Sequence, residues 1–553
     1  MASPYAAPAA YATPVPAAPT SLASEQLVAA LSASLARLSE LSSRVPGSAI
    51  VWRYLKASHQ DDPFRTVLEI LLVFFIVRTY LMARTKGESS GKNFVKLSEK
   101  EIDELVSEWT PEPLLPPNQE TPLHPPIIVG ATGPRPKPMS LDQPGKQVTN
   151  LASANFAGLA GNDRIKDKAM RALRRYGVGS CGPAGFYGTF DVHLELERDI
   201  AAFLNVPAAI IYAHAFSCVS SVVPSFCKRG DIIVADRGIN FALQKGIQIS
   251  RSTVRWYDHG DYAGLERILE GIRKEDKKYK RNPTASRRFI VTEGIFENDG
   301  SMVDLPKVIE LKNKYKYRLI LDESWSFGVV GKTGRGVTEV FDVPAAAVDM
   351  LMGSMASSLA AGGGFCAGSR EVVMHQRINS PASVFSASLP PLLAVSASEA
   401  IALLSTSVTS TNPAHPLASL PANVRALRTI LDQIPTIEIL SAEISPLIHL
   451  MIKPSTLDAL HKAAADGGVK GRARSHSNSA REEQERLLQE IVDAAAENGV
   501  LLSTTKRNWA QEMVELRPSI RICVTSGLTK KEVEKAGAVV KSAVAKVLGK
   551  GKK

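Results

Sequence analysis

The period of the apolar positions changes along the chain, and each change predicts a different kind of element. From Ser24 to Val45 they recur every three or four residues (Leu27, Leu31, Leu35, Leu38) with Ser, Glu and Arg between. This predicts an amphipathic region over 24–60 that lies on a membrane or on a protein partner. Thr66 to Ala83 (TVLEILLVFFIVRTYLMA) is nearly all apolar. At 1.5 Å per residue it is roughly 27 Å long, so the pattern predicts a transmembrane helix over 64–84. Glu69 and Arg78 interrupt it, and the alternative is a buried core helix. Residues 85–147 then read as a Pro-rich extended strap, because proline removes backbone donors and stiffens the chain.

Beyond the strap, short runs rich in β-branched residues recur: AAIIY (208–212), DIIVAD (231–236), TVRWY (253–257), RFIVTE (288–293), RLILDE (318–323) and DMLMGS (349–354). Helical stretches such as Leu305–Tyr317 separate several of them. Unalternated apolar strands spaced by helices predict an α/β fold with a mostly parallel central sheet covered on both faces. A large domain over 148–422 and a smaller C-terminal α+β domain over 423–540 follow, the latter with strand-like runs at 445–452 and 519–526. Residues 464–481 (AADGGVKGRARSHSNSAR) are polar and low in complexity and read as a disordered insertion. Residues 1–23 read as a disordered tail and 541–553 as a basic tail.

Composition narrows the classes. The chain has 553 residues, 44% hydrophobic and 22% charged, which is ordinary globular usage. Its net charge of +11 is mild for the length; it is compatible with an anionic membrane surface, and no aromatic-interleaved basic stripe argues for nucleic acid. Five cysteines without metal spacing read as reduced thiols facing the cytosol. The first 20 residues contain no Lys or Arg and no apolar core, so they are neither a signal nor a transit peptide. Arg84, Lys86, Lys92 and Lys96 place the body on the cytosolic side, although Arg53, Lys56 and Arg65 blur that orientation. Gly177–Gly182 matches GxGxxG but follows a basic helical stretch rather than a strand. Gly331-Lys332-Thr333 fails as a phosphate loop because Ser326 stands at the first glycine position. The histidines show no metal spacing.

Four segments, taken in order, carry a family resemblance: YGVGSCGPAGFYGTFDVHLELE (176–197), TEGIFENDG (292–300), LDESWSFGVVGKTGRG (321–336) and GSMASSLAAGGGFCAG (353–368). Together they resemble the α-oxoamine synthases, fold-type I enzymes dependent on pyridoxal phosphate (PLP) that condense an amino acid with an acyl-CoA. The resemblance covers about residues 150–540. The apolar segment ahead of the body narrows it to the serine palmitoyltransferase branch, which is similar in architecture to a heterodimer of two related chains at the endoplasmic reticulum membrane. The resemblance thus implies a lysine-bearing homologous partner, small regulatory membrane subunits and PLP near the shared interface.

PLP catalysis needs a lysine that forms a Schiff base. In the family it lies in a stretch like G-T-F-T-K-S-F-G-A-x-G-G, and the corresponding position here is Ser357. No lysine occurs between Lys332 and Lys453, so a register slip does not supply one. The resemblance further implies that Asn240 replaces a ring-stacking histidine, Trp325 a histidine near the phenolic oxygen, and Glu297 a serine. Asp322 keeps the position that pairs with the pyridinium nitrogen, yet it reads equally well as a cap or internal ion-pair partner. These five residues form a degenerate cofactor pocket, so the resemblance implies that PLP is held by the partner and none is bound covalently here. Cys181, Tyr187 and His193 match a loop that approaches the opposite subunit's site, and Ser386 and Ser388 a segment that reaches the neighbour's cofactor phosphate. Simple packing, and helix capping for the serines, are the alternatives. Gly362–Gly364 reads as a tight turn and Arg521 as a residue that packs or pairs structurally.

Overall fold

Seven short strands make the central sheet: β1 (Ala208–Tyr212), β2 (Ile232–Asp236), β3 (Thr253–Tyr257), β4 (Arg288–Glu293), β5 (Arg318–Asp322), β6 (Met350–Ser354) and β7 (Gly364–Gly368). Their spatial order is β1-β7-β6-β5-β4-β2-β3. Strands β6-β5-β4-β2-β3 pair in parallel, while β7 runs antiparallel to both β1 and β6. The sheet is therefore mixed through a single reversed strand. Helices cover both faces, which is why Phe289, Ile290, Val291, Leu319, Ile320 and Leu321 are all buried without alternation. The computed structural model describes residues 48–549 except 62, 87–96, 110–126, 141–142, 145–146, 283–284, 407–414, 467–475, 510 and 514–515. The 1–23 tail and the Ser24–Val45 helix lie outside the described residues.

The glycine turn reads differently in structure. Gly363 has φ +89°, and a Cβ there would sit 2.5 Å from the Tyr212 carbonyl oxygen. The turn feeds directly into β7, a strand absent from the expected set because GFCAG has little β-branched character.

A four-stranded antiparallel sheet forms the smaller domain: β8 (Ile437–Glu438), β9 (Leu447–Ile452), β10 (Ser503–Thr504) and β11 (Ile520–Cys523), in the order β8-β9-β11-β10. Helices Leu420–Leu431, His476–Glu497 and Lys530–Leu548 pack with it. Strand Thr149–Asn150 pairs with Val500–Leu501, so the start of the body is stitched into this domain.

Several expected boundaries change. The proposed insertion 464–481 is helical at both ends, in Pro454–Asp466 and from His476 onward, because Arg, Glu and Gln there favour helix. Arg481 stacks over the Trp509 ring at 4.5 Å. The 541–553 tail begins inside helix Lys530–Leu548, where Ala543, Val544, Val547 and Leu548 are buried at helical spacing.

The chain divides into two compact units, Met1–Pro122 and Leu123–Lys553. In the first, helices Ser48–Asp61, Pro63–Lys86 and Glu99–Glu108 are described. The strap expected over 85–147 is thus helical at 99–108, where Ser98 and Glu101 cap each other's backbone N–H. In the second unit its C-terminal part holds short paired strands, Ile127–Val129, Lys137–Ser140 and Gln143–Pro144. The expected transmembrane helix is also corrected. A helix forms, but among the described residues none is long and apolar enough to cross a membrane. Glu69 and Arg78 leave only eight uninterrupted apolar residues between them (70–77).

Candidate functional site

The parallel strands end on one side of the sheet, and chemistry-bearing residues gather just beyond their carboxyl ends, as in open α/β sheets generally. Glu293 closes β4, Asp322 closes β5 and Ser354 closes β6. A cleft of about 300 Å³ lies there, lined by Asn240, Glu297, Asp322, Trp325 and Ser357 among others. Residues spread from 240 to 357 in sequence are thereby brought to one place.

Asn240, Asp322, Ser324 and Ser357 in the cleft have partners inside the chain. Asn240 is the N-cap of helix Phe241–Ser250, its Oδ1 accepting from the Leu243 N–H at 2.9 Å. Its Nδ2 donates to Asp322 Oδ2 at 2.8 Å. The other Asp322 oxygen accepts the Ser324 N–H at 2.9 Å and the Ser324 hydroxyl at 2.5 Å. Ser357 Oγ donates to the Ser324 carbonyl at 3.3 Å. Trp325 stands edge-on to Phe156 with ring centroids 6.2 Å apart, and the Arg521 guanidinium lies 5.5 Å from its ring centre. Arg521 also reaches Glu297 Oε1 at 4.0 Å, a loose pair because the Glu297 side chain is 38% exposed.

The cleft is rich in carboxyls. Burial pushes Asp322 up, and hydrogen bonds from Ser324 and Asn240 offset part of that. Burial also raises Glu297, against the pull of Arg521. Glu293 lies behind the cleft, accepting from the Asn240 and Glu297 backbone N–H groups. Burial and then the Asp322 charge hold it well above the ordinary carboxylate range. Glu293 and Ser324 were not singled out by sequence reasoning, although both fall inside two of the quoted motifs.

These residues do not fit PLP. Among the described residues the cleft offers no ε-amine, both Asp322 oxygens are already engaged, and Glu297 would face an anionic group. As arranged, the cleft can hold its own network but not form an imine.

The second group of candidate residues lies elsewhere, on one surface. The loop before helix Asp191–Leu204 and the segment after helix Pro381–Phe385 are tied together. Ser180 Oγ donates to the Ser388 carbonyl at 2.8 Å, the Ser388 N–H to the Gly182 carbonyl at 3.0 Å, and the Ser388 hydroxyl to the Gly188 carbonyl. Cys181 is exposed with φ 56°, and Tyr187, with φ 64°, is 104% exposed. The Ser386 hydroxyl has only a 3.4 Å contact to the adjacent Ala387 carbonyl. His193 does not belong to the exposed loop. It lies buried in the first turn of the helix, its Nδ1 accepting the Phe190 N–H at 3.1 Å and its Nε2–H donating to the Leu389 carbonyl at 2.6 Å. Burial lowers its pKa, and the hydrogen bond to the Leu389 carbonyl offsets part of that.

Comparison with known proteins matches this architecture. The model of the family "Aminotransferase class I and II" matches residues 146–540. Long chain base biosynthesis protein 1c of Oryza sativa subsp. japonica is 39% identical over 521 residues, covering 94% of this chain and 98% of that protein. Serine palmitoyltransferase 1 of Dictyostelium discoideum is 39% identical over 489 residues, 86% of this chain and 93% of its own length. A high-resolution structure of SPT with PLP superposes with a TM-score of 0.61 at 18% identity, covering 77% of this chain and 93% of that one, which speaks to the fold. A fold-type I body, the ordered motifs on its carboxyl strand ends and identity sustained over most of the chain place this protein in the serine palmitoyltransferase 1 (long chain base biosynthesis protein 1) family of PLP-dependent-fold transferases.

Proposed function

We propose that this chain is the lysine-lacking subunit of a heterodimeric serine palmitoyltransferase, which condenses L-serine with palmitoyl-CoA to 3-ketodihydrosphingosine in the first step of sphingolipid biosynthesis. The observation that carries this reading is Ser357. It occupies the Schiff-base position in a cleft without any lysine, and its hydroxyl is bound to the Ser324 carbonyl. A serine hydroxyl does not form an imine, so the isolated chain is inactive. A lysine-bearing homologue of the long-chain-base subunit 2 type holds PLP near the shared interface. This chain stabilises that partner and completes its site.

The surface formed by 180–188 and 385–388 supports the contact. Phe186, Tyr187 and Phe385 project large apolar side chains outward there, Phe385 being 84% exposed. Ser386 keeps a hydroxyl available to a phosphate across the interface. A purely scaffolding role is favoured by one observation: His193 and Ser388 spend their polar atoms within the chain. We place the complex at the endoplasmic reticulum membrane with its body facing the cytosol, accompanied by small regulatory membrane subunits. The exposed apolar side chains of helix Pro63–Lys86 support membrane association.

Purification from native membranes tests the reading. A lysine-bearing homologue should accompany the chain at equal stoichiometry, and its absence would refute the heterodimer. Tyr187→Ala should lower kcat/KM of the complex while leaving co-purification intact. Unchanged kinetics would instead favour the scaffold.

A further inference from the structure

At the opposite ends of the strands from the candidate cleft lies a larger one, of about 910 Å³. It is formed where the ends of helices Tyr262–Lys278 and Leu305–Tyr315 meet the first residues of β4 and β5. Arg318 opens the strand that Asp322 closes, so the two clefts are separated by at least roughly 13 Å of β5. Nine of the fourteen lining residues are Lys or Arg, and one, Asp276, is acidic. We propose that this cationic cleft is a second ligand site, built for a molecule bearing clustered phosphate groups.

Cations at helix C-termini are ordinary, since they complement the helix dipole. Two further observations separate this cleft from that background. First, most of its charge is left over. Arg288 pairs with Asp276 at 2.7 Å, and Arg273, Lys314 and Arg281 reach Glu270, Glu266 and Glu275 at 2.7, 2.5 and 3.8 Å. Among the described residues Lys277, Lys280, Arg287, Lys316 and Arg318 make no ion pair. Like charges held together without counter-charges repel, and a bound polyanion removes that repulsion.

Second, its lining residues hold buried polar atoms with no partner among the described residues: Tyr317 Oη, Arg288 Nε and Asp276 Oδ1. Tyr317 is only 4% exposed, and a buried unpaired hydroxyl is costly. Tyr317 Oη and Arg288 Nε are donors, and phosphate oxygens are acceptors suited to both a hydroxyl and a planar guanidinium. A single carboxylate would leave most of the five cations that lack an ion pair unmatched, whereas two or three phosphates would not; of the five, the Arg287 guanidinium also donates to the Phe226 carbonyl at 2.9 Å. Clustered phosphates occur on soluble polyphosphates and on lipid headgroups, and the cleft's chemistry accepts either.

Calorimetry on the full chain in its purified complex, with inorganic tripolyphosphate as probe, tests this. Wild type should bind, and more weakly at about 500 mM than at about 50 mM salt. Lys280→Glu, Arg287→Glu and Lys316→Glu together should weaken binding about tenfold or more. An equal charge reversal at Lys530, Lys531 and Lys535, on an exposed helix face, should change it less than about twofold. Tyr317→Phe should weaken binding severalfold without lowering Tm, because it removes only an unpartnered hydroxyl. Co-sedimentation with neutral vesicles, with and without phosphatidylinositol bisphosphate, distinguishes the source. Capture by the phosphorylated vesicles alone, lost in the cleft variant, assigns the site to a lipid headgroup, and tripolyphosphate binding alone assigns it to a soluble ligand. Absence of both in wild type, or equal loss in the control variant, overturns the proposal. None of these readouts involves turnover, so the outcome is independent of the subunit reading above.

Discussion

Replacing Gly188 by alanine should damage the partner's catalysis more than this chain's stability. A Cβ at Gly188 would lie 2.0 Å from the Gly182 carbonyl oxygen and 2.7 Å from that of Pro183. Both obstacles are backbone, so no rotamer change relieves them. The loop must open by about 1 Å to reach even a tight carbon–oxygen contact of about 3.0 Å. That movement strains three hydrogen bonds: Gly188 N–H to the Pro183 carbonyl, Ser388 N–H to the Gly182 carbonyl, and the Ser388 hydroxyl to the Gly188 carbonyl. At about 1 kcal/mol each, with partial relaxation, the local cost is about 2–4 kcal/mol. The loop lies at the surface, so the strain escapes by displacing Tyr187 and Cys181 rather than by unfolding the sheet. Expected are a Tm lowered by less than about 5 °C and kcat/KM of the complex lowered about tenfold or more, since a 1 Å misplacement near reacting groups can cost about a hundredfold. Gly185→Ala is the control, because nothing lies within 4 Å of a Cβ there. Wild-type kinetics for Gly188→Ala, or an equal loss for Gly185→Ala, would refute the argument.

Ser357→Lys alone should not give a second working site: PLP content per complex by absorbance should not rise, and a complex whose partner lysine is removed should stay inactive, because the Asn240–Asp322–Ser324 bonds and Glu297 remain. His193→Ala should cost about 2 kcal/mol or more in denaturant unfolding, since it orphans the Phe190 N–H and the Leu389 carbonyl, and should speed proteolysis at 181–187. His449 is buried, and that burial drops its pKa to about 3. Its contribution is therefore fully present above the unfolded value of about 6.5 and lost as pH falls toward 3, where the unfolded chain takes up the proton first. His449→Gln should flatten the acid limb of the stability–pH profile by on the order of 5 kcal/mol, and an unchanged limb would count against that burial.

Much of the body was legible because a parallel sheet buried on both faces leaves continuous apolar runs, and Ile232–Asp236, Arg288–Glu293 and Arg318–Asp322 are such runs. Strand Gly364–Gly368 was hidden because close neighbours require glycine at both its ends, which reads as a turn: a Cβ on Gly364 would lie 2.8 Å from the Ala215 Cα, and one on Gly368 2.7 Å from the Asp349 carbonyl oxygen. Helix Glu99–Glu108 announced itself through Ser98 and Glu101 three residues apart, a capping signature masked by the prolines that follow. The end of helix Lys530–Leu548 was masked by lysines, although Val540, Val544 and Val547 keep helical spacing. For the cleft, the ordered motifs located Asp322 and Ser357, and the resemblance they carry pointed to Asn240. What a linear reading does not contain is how their hydrogen bonds close on Ser324, because that depends on the turn after β5.

The direction of those bonds separates the two candidate regions by what a substitution in each must do. In the cleft, Asn240 is committed to the helix cap and to Asp322, Asp322 to Ser324, and Ser357 back to Ser324. A pyridinium seeking Asp322 would first have to displace the Asn240 amide, a bond to a charged group worth about 1.5–3 kcal/mol, in a site where desolvation already works against the carboxylate. The network therefore stabilises the body at the same strand ends where related folds keep room for a ligand. In the loop the bonds run along its base, from Ser180 and Ser388 to backbone carbonyls, and they hold Tyr187 and Phe186 outward with nothing among the described residues to cover them. Effects of cleft substitutions should accordingly be read in the stability of this chain, and effects at the outward rim in the kinetics of whatever chain packs against it.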